Sequence, residues 1–341
     1  MSNLISLIVP CYNVSATIEK YFDSVLSQTY RNIEIIAVDD GSKDRTGEII
    51  DSYTDRFAAN GMKLIHVTQA NQGLGGAINT GLKYVTGDFL CWSDPDDFYY
   101  PEAMEMRLNA LLDHPEYAVV TSDADVYTFP DLSAPTGREA SRLRHNAEEN
   151  QFELLLSEKS IFCAGCHMVR MSAFDKANPD REIFTARRGQ NWQMLLPVYY
   201  KFKRMYIDKP LYAYVVYPSS MSSGDITEKS VLTRLSEHKE IIIETLKRIP
   251  MPEDERLSYM KMTDARYALK HFYTAIDFRD KKLLHEQYDL LKQYGENTPE
   301  IDRLYRRNRS VFGKMYYRLS DSISKLHPER TPANRNDPTK Q

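Results

Sequence analysis

Short apolar runs, each stopping at polar or acidic residues and each separated from the next by a stretch of helical period, constrain this chain more than any other feature. Leu4 to Val9 is a short, mostly apolar run closed by Pro10, and Ile33 to Val38 ends at Asp39-Asp40-Gly41-Ser42. Phe89 to Trp92 ends at Ser93-Asp94-Pro95-Asp96-Asp97. Runs of this length and composition are buried strands. Leu64 to Val67 and Tyr117 to Thr121 read the same way. Between them, Ser15 precedes an apolar face of Ile18, Phe22, Val25 and Leu26, and Asp44 precedes one of Ile49, Ile50, Tyr53 and Phe57. A Gly73-Leu74-Gly75-Gly76 turn leads into a helix through Ile78, Leu82 and Val85, and Pro101 opens one through Met104, Leu108 and Leu111. Capping residues and the 3.6-residue period define all four helices.

Strands alternating with helices at this spacing imply an α/β fold with a mostly parallel sheet and helices on both faces. Ligands of such sheets lie beyond the carboxyl ends of the strands. Those ends carry Tyr12-Asn13, Asp39-Asp40 and Asp94, Asp96 and Asp97. Between about 130 and 160 the text is polar and reads as a loop and helix covering the site. Phe162 to Val169 reads as a strand, helical text resumes near Asn191, and Tyr206 to Val216 is strand or loop. Helical patterns rich in Lys, Arg, Tyr and Leu follow. The expected organisation is an α/β domain over 1–223, a helical region over 224–326 and a disordered tail over 327–341, where Pro328, Pro332 and Pro338 stand among few apolar residues.

With 341 residues, 42% of them hydrophobic, the chain can bury a large core, and a net charge of −4 gives no reason to expect a nucleic-acid partner. Cys11, Cys91, Cys163 and Cys166 form no regular framework, which suits a reducing compartment. The first apolar run is too short for a signal segment, and no stretch reaches the ~20 apolar residues of a membrane span. A cytoplasmic protein is expected, with peripheral contact at the inner face of the cell membrane left open.

Asp94-Pro95-Asp96 places two carboxylates just past a strand. Mg²⁺ and Mn²⁺ take oxygen ligands and keep substrate phosphates in their shell, so such a pair can hold either ion against a diphosphate. Asp123-Ala124-Asp125 has the same spacing and is read as unrelated to a metal. The order of segments says more. Ile8-Val9-Pro10-Cys11-Tyr12-Asn13, Ser27-Gln28-Thr29-Tyr30 and Val38-Asp39-Asp40-Gly41-Ser42 come first. Asn71-Gln72-Gly73, Ala77-Ile78-Asn79-Thr80-Gly81, Gly87-Asp88-Phe89 and Ser93-Asp94-Pro95-Asp96-Asp97 with Pro101 follow in register. Over residues 4 to 220 this resembles the family 2 inverting glycosyltransferases, which implies the GT-A nucleotide-sugar fold.

The resemblance implies that Pro10, Tyr12 and Asn13 line the nucleotide, with Tyr12 near the base. It implies that Asp40 accepts a hydrogen bond from a uracil-type ring nitrogen, supported by Asp39. Asp94 and Asp96 match the metal pair, Asp94 also reaching the donor. Asn71, Gly73 and Asn79 match donor-side positions, with turn, cap or backbone roles as the plain alternative. The family's general base is a carboxylate in a Gly-Glu-Asp-like segment, and the matching text here is Arg187-Arg188-Gly189-Gln190-Asn191-Trp192-Gln193. Amides do not titrate near neutral pH. Asp97 is the first candidate for a displaced base, with Asp123, Asp125 and Asp180 behind it, and Asn191 is expected to bind the acceptor. Arg187 and Arg188 are candidates for the diphosphate or an anionic acceptor.

The reading is a metal-dependent inverting transferase using a nucleotide sugar, with UDP the expected nucleotide and a glycan or lipid-linked acceptor of cell-surface polysaccharide or glycoconjugate synthesis. The alternative is a non-catalytic nucleotide-sugar-binding or scaffold subunit. Cys163-Ala164-Gly165-Cys166-His167 has metal-like spacing without a second ligand pair, and His167 stands near the acceptor side. The basic, aromatic stretch from Arg303 through Arg309 to Lys314, Tyr316, Tyr317 and Arg318 suits either an anionic membrane surface or packing, including a homo-oligomer.

Overall fold

The computed structural model describes residues 3–218 and 226–310; the tail, the last helical residues and Lys314 to Arg318 lie outside the described residues. Four parallel strands open the chain: β1 (Ile5–Cys11), β2 (Ile33–Asp39), β3 (Lys63–Thr68) and β4 (Phe89–Trp92), arranged β3-β2-β1-β4. Each was legible as an apolar run, within two residues at either end. Helices α1 (Ile18–Leu26), α2 (Thr46–Ser52), α3 (Thr54–Ala59), α4 (Gly73–Leu82) and α5 (Ala103–Asp113) connect or follow them. Beyond β4 the sheet becomes mixed. β6 (Val119–Thr128) and β8 (His167–Arg170) pair antiparallel, β8 joins β4 antiparallel, and β9 (Arg204–Val216) runs parallel to β6. β5 (Phe98–Tyr99) closes the far side on β9, and β7 (Gly137–Arg138) hangs on β6. Helices α6 (Phe152–Leu156), α7 (Met171–Ala177) and α8 (Gln190–Lys201) complete this half.

The period of two along β1 and β2 sorts their side chains. Ile5, Leu7, Val9, Ile33, Ile35 and Ala37 pack with Ile18, Phe22, Val25, Phe57 and Leu108 in one buried cluster. Ile8 and Ile36 turn to the other face, where α4 lies against β1 and β2. The one expected helix after Asp44 is two, because Tyr53 closes α2 with a bond to the Ile50 carbonyl and points its hydroxyl at Asp23. Gly73 to Gly76 is the first turn of α4 rather than a turn before it, for a reason that lies in the site. β6 continues past Thr121 through Asp123 and Asp125. Asp123, fully buried, is matched there by the Ala124 and Ala140 N–H groups and the Arg138 guanidinium.

Helices α9 (Glu228–Arg248), α10 (Glu253–Phe278), α11 (Lys281–Tyr294) and α12 (Pro299–Asn308) follow. By contacts the described residues fall into two compact units, 3–218 with 237–260 and 226–236 with 261–310. In the second, Phe272, Ala275, Leu284, Tyr288, Leu291 and Ile301 form the core. Asp280 and Thr298 cap α11 and α12 through their side chains, and Pro299 opens the latter. No helix among the described residues is long and apolar enough to cross a membrane.

Candidate active site

The carboxyl ends of β1 and β2 meet in one hydrogen-bonded corner. The Asp40 N–H donates to the Cys11 carbonyl, the Asn13 N–H to Ser42 Oγ, and the Lys43 N–H to Asn13 Oδ1. Asn13 holds φ at 53°, a left-handed conformation that asparagine tolerates. Beside this corner Tyr12 leaves 49% of its surface open, as a ring waiting for a stacking partner would, and Pro10 is half-buried.

The two aspartates divide their work differently from the expectation. Asp40 is 3% exposed. Its Oδ1 accepts from Gln69 Nε2 at 2.7 Å and the Gln72 N–H at 2.8 Å, and its Oδ2 from the Gly73 N–H at 2.8 Å. Three donors leave this carboxylate little capacity for a ring nitrogen. Asp40 instead caps α4 from across the sheet, which is why the helix starts at Gly73, where φ is +77°. Asp39 takes one bond, from the Ser42 N–H at 2.9 Å, and has the freer carboxylate. Asn79 also stands apart from the cleft: its amide accepts from the Ile183 N–H at 2.8 Å and donates to the Ile183 carbonyl at 2.9 Å. Asn71 is exposed.

At the end of β4, Asp94 and Asp96 are partly open and Asp97 is buried. Burial, and then the charge of Asp96, pushes the Asp94 carboxyl up to about 7; burial likewise raises Asp96. The neighbouring Asp96 carboxylate accounts for the Coulombic part at Asp94. A hard divalent cation would relieve it, so this oxygen pair fits Mg²⁺ or Mn²⁺. No cluster of three His, Cys, Asp or Glu side chains suited to a metal exists among the described residues. The pair would therefore share the ion with oxygens from elsewhere, as diphosphate sites do.

Asp97 is turned into the sheet. It is 3% exposed, and its Oδ1 accepts from the Val215 N–H of β9 at 2.8 Å. That location suits holding β9 to the Asp94–Asp96 turn. Asn191 is also committed: Oδ1 accepts from Trp92 Nε1 at 2.7 Å and Nδ2 donates to the Phe162 carbonyl at 2.6 Å. Its side chain locks β4 to α8 instead of facing a ligand. Gln190 comes closer to the chemistry, its Nε2 lying 3.5 Å from Asp94 Oδ1.

The segment before α8 presses on the glycine face of α4. The Gly75 N–H donates to the Ala186 carbonyl at 2.8 Å, and a Cβ on Gly75 would sit 2.8 Å from both Ala186 N and Phe184 O. This approach lays Arg187 over Gly73, with Arg187 Cγ 3.6 Å from where a Gly73 Cβ would be. Arg188 pairs with Glu237 at 3.1 Å, while Arg187 is exposed and has no ion pair among the described residues. His167 is fully buried, stacked on Trp92 at 6.0 Å and bonded to Thr121 Oγ1, and burial with the Arg204 and Arg107 charges lowers it to about 3. Cys163 and Cys166 are buried, and the contact with Cys166, followed by burial, raises the Cys163 thiol. Sequence reasoning missed Tyr212 and Tyr217, whose hydroxyls donate to the Asp94 and Asp96 carbonyls at 3.4 and 3.3 Å. Their crowding with other tyrosines near the end of β9 was the one available signal.

Comparison with known proteins bears on this geometry. The model of glycosyl transferase family 2 matches residues 6–177, half of the chain. The uncharacterized glycosyltransferase EpsJ of Bacillus subtilis is 34% identical over 235 residues, 65% of this chain and 64% of its own. An uncharacterized glycosyltransferase of Rickettsia typhi is 43% identical over 110 residues, 32% of each chain. The chain thus spans from about a third to under two thirds of the length of these relatives. S. aureus TarS 1–349, solved with UDP, superposes with a TM-score of 0.57 at 17% identity, covering 93% of this chain and 92% of that one. The mannosyltransferase PcManGT from Pyrobaculum calidifontis, solved with GDP-Man and Mn²⁺, gives 0.53 at 14% identity, covering 95% and 81%. The fold is thus shared with solved GT-A transferases, and by its sequence this chain belongs to glycosyl transferase family 2.

Proposed function

We propose that this cleft binds a nucleotide-sugar donor, UDP-linked in the first instance, and transfers its sugar with inversion to a glycan or lipid-linked acceptor of cell-surface polysaccharide or glycoconjugate synthesis. The observation that carries the reading is the Asp94–Asp96 carboxylate pair, partly open at the end of β4, beside the exposed Tyr12 ring and the Asp39–Asp40 corner. The bound UDP of TarS and the bound GDP-Man and Mn²⁺ of PcManGT support it by analogy of fold. In this reading Tyr12 stacks on the base, Asp39 takes the ring N–H in place of Asp40, and Asp40 sets the turn on which both depend. Asp94 and Asp96 would hold Mn²⁺ or Mg²⁺, which when bound neutralises charge developing on the leaving diphosphate. Arg187 contributes a second positive charge to the same phosphates, and Gln190 orients Asp94. Asp97 and Asn191 act as positioning residues, holding β9 and Trp92. The exposed Arg303 and Arg306 of α12, with Arg309 just past its end, support a place at the inner face of the cell membrane.

The amides at 190 and 191 favour a second reading, a nucleotide-sugar-binding subunit without turnover. Incubation with a panel of nucleotide sugars, with and without Mn²⁺, separates the two. Metal-dependent release of UDP is expected. Tight binding of a UDP-sugar with no release, in any acceptor mixture, would select the second reading, and no binding of any nucleotide sugar would overturn both.

A further inference from the structure

Beyond the carboxylate pair, the end of β9 and the end of β6 build an aromatic ledge that neither the metal nor the nucleotide uses. The Phe129 N–H donates to the Val216 carbonyl, which brings the Phe129 ring onto Tyr217 with centroids 5.0 Å apart and planes at 30°. Phe129 leaves 44% of its surface open. Tyr217 in turn donates its hydroxyl to the Asp96 carbonyl at 3.3 Å, so the ledge begins at the site itself. Behind it stand Tyr127, Ala213 and Val215, with Phe98 and Tyr100 packed against them. Hydrogen-bonding groups border the rings: the Tyr100 hydroxyl meets Asp125 Oδ2 at 2.7 Å and the Tyr127 hydroxyl at 3.0 Å.

We infer that the Phe129–Tyr217 ledge is the acceptor subsite and that it takes the flat face of a neutral pyranose in a saccharide acceptor. The inference rests on Asp94 and Asp96 marking the donor end. A pyranose shows polarised C–H groups on one face and hydroxyls at its rim. The C–H face suits the negative face of an aromatic ring, and the rim suits a carboxylate and phenol hydroxyls. Phe129, Tyr217, Asp125 and Tyr127 supply that combination next to the reacting end. An anionic acceptor fits less well, because Asp125 and the Asp96 backbone meet the cluster at Tyr100 and Tyr217, Arg138 beside Asp125 is engaged by Asp123 and Asp208, and Lys20 is drawn over the Phe98 ring at 3.9 Å.

The test is a glycan array probed with the full chain in the presence of UDP and Mn²⁺, alongside UDP affinity by calorimetry. Wild type should bind a subset of neutral glycans. Phe129→Ala should weaken those by about tenfold or more, the loss of roughly one stacked ring, while Phe129→Trp retains them. UDP affinity should be the same in all three proteins. The ledge assignment is overturned if wild type with UDP bound retains no glycan, or if Phe129→Ala binds glycans as wild type does. Failure of wild type to bind UDP would strike the donor reading instead, and the glycan results would still judge the ledge.

Discussion

The two halves of the site are built by different means. On the donor side, from β1 to β4, each polar group sits at the end of its own strand, and the strands are parallel neighbours, so residues next to one another in a motif act next to one another in space. On the side proposed for the acceptor, from β5 to β9, the β5–β9 pair and the bulged β6–β9 pair bring the end of β9 to the turn after β4, where Val215 holds Asp97 and Tyr217 holds the Asp96 carbonyl, while Asn191 of α8 holds Trp92. The side proposed for the donor therefore takes its motif residues from neighbouring strand ends, whereas the side proposed for the acceptor is assembled from elements distant in sequence. If so, substitutions on the donor side should change ligand chemistry at constant stability, and substitutions on the acceptor side should do the reverse.

The largest expected effect tests the donor half. Asp96→Ala should lower Mn²⁺-dependent UDP release by two or more orders of magnitude, on the order of the several kcal/mol a Lewis acid supplies, with an unchanged melting temperature. Unchanged turnover would remove Asp96 from the metal site. Next comes the acceptor half. Asn191→Ala strands the Trp92 N–H and the Phe162 carbonyl in the interior, and should destabilise by about 2–4 kcal/mol in urea unfolding. A variant as stable as wild type but weak in acceptor binding would restore Asn191 to ligand contact and break the contrast. Arg187→Ala should then weaken UDP by roughly ten- to a hundredfold, the range for a hydrogen bond to a charged group, and leave uridine affinity unchanged. An equal loss for both ligands would place Arg187 away from phosphate.

Acid sharpens the comparison. The His167 ring in the folded protein lies near 3, below its ordinary 6.5, so the unfolded chain takes the proton first as pH falls. Its contribution is therefore complete above about 6.5 and drains away towards 3, by about 1.4 kcal/mol per pH unit at most. The raised carboxyl of Asp94 acts in the opposite sense. The stability difference between wild type and His167→Asn from pH 7 to pH 4.5 isolates the histidine, and a pH-independent difference would show that the ring is not neutral inside. The smallest effect is expected at Asp97. Asp97→Asn keeps an acceptor for the Val215 N–H and should alter turnover little, whereas a thousandfold loss at constant UDP affinity would reinstate Asp97 as the base.

What could be read from the chain follows the same division. The strands of the parallel half and the place of Asp94 and Asp96 just past β4 were legible because period and local order fix them, whereas α2 starts after Arg45, with Asp44 bonding the Thr46 N–H from one residue further back. The bonds of Asp40 were not legible, since its partners Gln69, Gln72 and Gly73 are reached only after β3 folds beside β2. Asn79 looked like a ligand and is a clamp, because Ile183 is 104 residues away. The tyrosines of β9 carried no motif at all. Their contribution depends on a register with β6 that shifts between Ser122 and Ala124, and no local pattern announces such a shift.

The clamp has a mechanical consequence. Asn79 holds Ile183 by two bonds, Gly75 holds Ala186 by a third, and Gln193 returns to Phe184 at 3.1 Å. The stretch leading to Gln190 is thus riveted to α4, and α4 is itself anchored at its start by Asp40. Force applied at the Asp40 corner passes to the loop bearing Arg187 through the Asp40 and Asn79 side chains and the Gly75–Ala186 backbone bond. These parts behave as one jaw. A substrate that displaces residues 183 to 186 must therefore break these bonds or carry α4 along with them.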